Sequence, residues 1–151
     1  MLTRDQVAHY ETFGFLILRQ MFSKGETDEL RNASLSAFQG LRGGRPYSGK
    51  DAEGAIPFFE RHPRLSALLD DDRIHQIPES LLGPDFFLDG TEGHLRVGDT
   101  PWHGDTEFSE DIGHIKVTIY LDPVAKDTGC LRVIPGSHRH ESPDYLEVLR
   151  P

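Results

Sequence analysis

The spacing of apolar and polar residues changes character near residue 83. Before it, apolar positions recur every three or four residues, the period of a helix with one buried face. Thr3-Arg4-Asp5-Gln6 has the form of a capping box, with a hydroxyl that can accept from the third helical amide and a Gln that can reach back. It predicts a short helix striped by Val7, Tyr10 and Phe13 and ended by Gly14. The apolar run at 15–18 then predicts a buried strand. Ser23-Lys24-Gly25-Glu26 repeats the capping signal and predicts a helix to about Leu41, with Leu30, Ala33, Ala37, Phe38 and Leu41 on one side. Residues 42–57 are rich in Gly, Pro and charge and predict a surface loop. Helical spacing returns at 63–69 and 71–82 and stops at Gly83-Pro84.

Beyond residue 83, short apolar runs at 86–88, 95–97, 115–121 and 130–134 alternate with turn signals, the texture of an all-β sandwich or jelly roll. The run at 115–121 is the clearest. Ile115, Val117, Ile119 and Leu121 fall on one face of an extended segment, and Lys116, Thr118 and Tyr120 on the other. The first face is expected on a core, the second against solvent or a polar site. The fold class expected is therefore mainly β with N-terminal helices, in one domain over 1–151, with a helical part at 1–83 and strands at 84–151.

Composition narrows the partners. Sixteen basic against 25 acidic residues give a net charge of -9. Nucleic acid and anionic membrane surfaces both call for clustered Lys and Arg, so neither is an expected partner. A single cysteine, Cys130, excludes an internal disulfide and a thiolate zinc site; inside its apolar run it reads as a small core residue. No stretch reaches the ~20 apolar residues of a membrane span, and the N-terminus lacks a basic-then-apolar leader pattern. The expected compartment is the cytoplasm.

The candidate chemistry centres on His103-Gly104-Asp105. Residues two apart on an extended segment point to the same side, so His103 and Asp105 can offer an imidazole nitrogen and a carboxylate oxygen to one ion. A third ligand from elsewhere would complete a facial set of two His and one carboxylate, which leaves positions open on Fe(II). The tripeptide alone carries little weight: eight His and the Asp share of this chain give roughly 0.7 such matches by chance.

The flanking residues carry more. Gly98-Asp99-Thr100-Pro101-Trp102-His103-Gly104-Asp105 resembles the Trp-His-x-Asp iron-binding segment of the phytanoyl-CoA dioxygenase family. Gly129-Cys130-Leu131-Arg132-Val133-Ile134-Pro135-Gly136-Ser137-His138 resembles that family's second signature, a strand running into Pro-Gly-Ser-His. Their order and spacing agree, and the opening helix followed by Gly-Phe-Leu-Ile-Leu is similar to the family's start. The resemblance covers essentially the whole chain. It implies a double-stranded β-helix (jelly roll, cupin-like) with helices outside. It also implies metal ligation by His103 and Asp105, Fe(II) as cofactor, 2-oxoglutarate as co-substrate with O2, and hydroxylation of a small-molecule substrate. Thr118 falls where family members often touch 2-oxoglutarate. Trp102 is expected to pack and orient the ligand beside it.

The chain departs from the family in one respect. The resemblance implies a late His as third ligand and a late Arg gripping 2-oxoglutarate, and no segment after His138 matches either. The jelly roll is therefore expected to be incomplete at its C-terminus, as a fragment or truncation, possessing an exposed sheet edge through which a homo-oligomer could form. His138 is a weak candidate for the third ligand, and His140 a weaker one. Arg96 reads as a surface charge that could face the site, and His9, His62, His75, His94 and His114 as ordinary residues. Two other readings stand beside the oxygenase: a non-catalytic truncated paralogue serving as a binding or interaction module, and a cupin-like metal protein that uses no 2-oxoglutarate.

Overall fold

The computed structural model describes residues 1–98, 100–103 and 113–139. The first helix, α1 (Arg4–Phe13), opens on the expected capping box. Gln6 N donates to Thr3 Oγ1 at 3.2 Å and Thr3 N donates to Gln6 Oε1 at 2.8 Å. Gly14 closes it in the left-handed region (φ 78°), donating its amide to the Tyr10 carbonyl. The second helix, α2 (Lys24–Leu41), opens on the Ser23–Glu26 box and buries Leu30, Ala33, Ala37 and Phe38. Leu41, the last of the expected stripe, emerges from the core at 46% exposure.

Two short helices follow, α3 (Pro63–Ser66) and α4 (Asp72–Leu82), the second ended at Gly83 as expected. Arg73 ties the start of α4 to the start of α2. Its guanidinium donates to Glu26 and Asp71, both at 2.7 Å, and to the Met21 carbonyl at 2.9 Å, and it lies 4.5 Å over the Phe22 ring. The bond from Arg73, aided by the Ser23 amide, holds the Glu26 carboxyl down at about 2.

Leu30, Ala33, Ala37 and Phe38 of α2 meet Phe58, Leu65 and Leu68 in one core, with Phe38 and Phe58 ring centroids 4.7 Å apart. Half-buried Phe22, Ala55, Phe59, Leu95, Ile119 and Leu121 pack around it. The core thus draws on both textures of the sequence.

The expected strands are largely replaced. Among the described residues there is one antiparallel pair, β1 (Glu53–Ala55) and β2 (Gly93–Leu95), in the register Glu53↔Leu95, Gly54↔His94, Ala55↔Gly93. β1 lies inside the segment expected to be loop. Its partner supplies the reason: Gly93 lets the Phe58 ring close over the sheet, since a Cβ there would sit 2.3 Å from that ring. Thr91 then fixes the turn after β1. It is 4% exposed, its Oγ1 accepts from the amides of Phe58 and Phe59 at 2.9 and 3.1 Å, and it donates to Glu60 at 2.7 Å. The peptide bond Ile56-Pro57 is cis.

Residues 15–18, 86–88, 115–121 and 130–134 form no strand. Each apolar run finds side-chain partners in place of a ladder. Phe15 turns back onto His9 of α1, ring edge to face at 5.5 Å, and Phe86 packs on His75 of α4 at 5.0 Å. The amide of Leu131 donates to the Tyr120 hydroxyl at 2.9 Å, where a ladder would put a carbonyl. The described residues are consequently mostly helix and irregular chain, not mainly β. The burial alternation of 115–121 holds even so. Ile115, Ile119 and Leu121 are half-buried while Lys116, Thr118 and Tyr120 are exposed; Val117, expected inside, is 38% exposed.

No helix among the described residues is long and apolar enough to cross a membrane.

Candidate metal centre

His103 lies after β2 on an exposed irregular segment. Its Nδ1 is 2.8 Å from the Pro101 carbonyl oxygen. A carbonyl can only accept, so Nδ1 is the donor of this bond, and in the neutral ring the lone pair lies on Nε2. Metal-ligating histidines are arranged this way: one nitrogen donates to a carbonyl or carboxylate, and that bond fixes the tautomer and ring orientation for the other. The backbone two residues upstream supplies it here, a detail that a sequence motif does not spell out.

Asp105, the expected partner of His103, lies outside the described residues, as do Asp99, Gly104 and His140. Among the described residues no group of three His, Cys, Asp or Glu could hold a metal ion. Thr118 is exposed, on the side of its segment away from the core that Ile119 and Leu121 reach. Arg96, just past β2, is exposed. His94 on β2 sits 2.9 Å from Glu92, and Lys116 lies 3.9 Å from the same carboxylate, so Lys116 of the 113–121 segment meets Glu92 just before β2.

Trp102 is half-buried, and the Arg132 guanidinium lies 5.0 Å over its ring. Arg132 belongs to the second signature and Trp102 to the first, so the structure brings the two signatures together. Sequence reasoning expected Trp102 to pack but missed its partner. An Arg three residues before Pro-Gly in an apolar run was the available signal.

The Pro-Gly-Ser-His turn has a second task. A 3-10 turn at Ser137–Arg139 sits against the end of α1. Gly136 donates its amide to the Phe13 carbonyl at 2.9 Å, His138 Nε2 donates to the Glu11 carbonyl at 3.2 Å, and the Arg139 guanidinium donates to that same carbonyl. With Gly14 on Tyr10, three of the last four carbonyls of α1 gain a donor. α1 has no basic residue in its last turn, and His138 and Arg139 bring basic groups to its negative end from across the chain. His138, weighed above as a third ligand, has its Nε2 engaged here.

Three further histidines serve the fold. His9 packs on Phe13 and Phe15, His75 on Phe86, and His62 Nδ1 accepts the Arg64 amide at the start of α3. An open depression lined by Glu29, Asn32, Ala33, His62 and Arg64 includes none of the expected site residues.

A family model described as phytanoyl-CoA dioxygenase (PhyH) matches residues 10–150. An ectoine dioxygenase of Bordetella bronchiseptica is 28% identical over 156 aligned residues, covering 91% of this chain and 50% of that protein. The chain thus spans about half the length of this curated relative. No solved structure gives a significant match.

Proposed function

The chain belongs to the phytanoyl-CoA dioxygenase family, and from that premise we propose that it carries the metal-binding part of an Fe(II)- and 2-oxoglutarate-dependent dioxygenase that hydroxylates a small organic molecule. The observation that supports the reading best is the Nδ1 bond of His103 to the Pro101 carbonyl inside Trp102-His103-Gly104-Asp105. It orients Nε2 as a ligand and fits a divalent cation of intermediate softness. In this reading His103 and Asp105 hold Fe(II), Thr118 contacts 2-oxoglutarate, and the architecture is a cupin-like jelly roll. The bound metal would supply O2 activation coupled to decarboxylation of 2-oxoglutarate to succinate.

The chain's own residues do the rest. His103 gives a neutral nitrogen and Asp105 a negative oxygen, which together offset part of the charge of a divalent ion. Trp102, half-buried with the Arg132 guanidinium over its ring, flanks the ligand in sequence.

Calorimetric titration with Co(II), Mn(II) or anaerobic Fe(II) tests the assignment. The wild-type chain should bind, and the His103→Ala, Asp105→Ala double variant should lose at least about tenfold in affinity, the order of effect expected when ligands are removed. Equal affinity in both would overturn it.

A further inference from the structure

We infer that Arg132 is a positioning residue for His103, acting through Trp102; the inference rests on the metal reading above. Three observations carry it. The Arg132 guanidinium stacks over the Trp102 ring at 5.0 Å. Trp102 shares a peptide plane with the Pro101 carbonyl, because the C–N bond between them does not rotate freely. That carbonyl oxygen is the atom that fixes the His103 tautomer at 2.8 Å. Holding the Trp102 ring therefore restrains the plane that carries the oxygen, and the oxygen sets which His103 nitrogen faces a metal.

Arg132 is itself held on both sides along the chain. The Leu131 amide is bonded to the Tyr120 hydroxyl, and Tyr120 lies between Ile119 and Leu121, which pack on the core. Four residues after Arg132, Gly136 is bonded to the end of α1. Its backbone is anchored at 131 and 136, so its stacking on Trp102 is not the wandering of a loose surface arginine.

The sign of the effect separates positioning from charge. A guanidinium near a cation site repels the cation, so a pure charge effect predicts that Arg132→Gln raises metal affinity. Positioning predicts the opposite: loss of the stacking contact loosens the Pro101–His103 plane and metal affinity falls. A cation–π contact at a half-exposed site corresponds to a two- to five-fold change.

The test uses the 151-residue chain and Co(II) alone as probe. Trp102 is the one tryptophan in the sequence, so indole fluorescence reports its environment without ambiguity. Arg132→Gln should shift that fluorescence and weaken Co(II) binding about two- to five-fold, with the thermal midpoint near wild type. Arg132→Lys, which keeps a cation over the ring, should restore most of both. Imidazole nitrogen shifts of the metal-free protein give an independent readout. His103 should show a single Nδ1-protonated tautomer in wild type and a mixture in Arg132→Gln. Unchanged or tighter Co(II) binding with an unaltered His103 tautomer in Arg132→Gln would overturn the inference. A wild type that binds no Co(II) would overturn the metal reading instead, and the tautomer comparison would still decide the role of Arg132.

Discussion

Replacing Gly14 with Ala tests the junction between α1 and the Pro-Gly-Ser-His turn directly. Gly14 sits at φ 78°, where a Cβ costs about 1–2 kcal/mol. The added atom would also stand 2.2 Å from His138 Nδ1, 2.5 Å from its Cγ and 2.9 Å from its Cβ. Rotating the imidazole can relieve the first two contacts. It cannot relieve the third, because the Cβ is fixed to the backbone, so the turn itself must shift. Overpacking of this kind costs about 1–3 kcal/mol, and the two effects sum to about 2–5 kcal/mol. The assay is urea denaturation of wild type, Gly14→Ala, His138→Gly and the double variant. With the His138 side chain gone, its Cβ included, Gly14→Ala should cost little more than its backbone strain. The cycle should therefore show a coupling of about 1–3 kcal/mol between two positions 124 apart in sequence (138 − 14). Additivity within about 0.5 kcal/mol would refute the packing described here.

Thr91→Val keeps the shape of a 4%-exposed side chain but leaves the Phe58 and Phe59 amides without an acceptor; it should destabilise by roughly 2–4 kcal/mol, and Thr91→Ser by less than about 1, in the same urea assay. The Glu26 carboxyl is held at about 2 against its ordinary 4.5, so the folded state binds its proton less readily than the unfolded state. Its contribution is fully present above pH 4.5 and is lost as pH falls towards 2; thermal midpoints across that window should fall more steeply in wild type than in Glu26→Gln.

The parts of the fold written in local chemistry were legible from the sequence. Both capping boxes, the Gly14 and Gly83 stops and the inward stripe of α2 lie within a few residues of the backbone groups they satisfy. Strands are different, because their hydrogen bonds lie wherever a partner lies. The run at 130–134 has strand spacing, yet Tyr120 takes the Leu131 amide, and nothing within the run announces this. β1 was hidden for the converse reason: Glu53-Gly54-Ala55 is unremarkable until Gly93 and Phe58 come to meet it. At the candidate site, the motif named His103, but its tautomer depends on a carbonyl and its setting on Arg132, thirty residues from Trp102 (132 − 102).

The bonds from His138 and Arg139 to the Glu11 carbonyl span 127 and 128 residues. Closing a loop of that length costs little more entropy than closing one half as long, because the cost grows only with the logarithm of length. The order of events is another matter. α1 carries its own caps and can wind early, and its entry is tied to α4 by the Leu2 amide on Ser80 Oγ, but the donors for its last carbonyls arrive only once the chain between has folded and returned. The capping of its last turn is therefore a closing event, and α1 reports that the segment behind the second signature has reached its place.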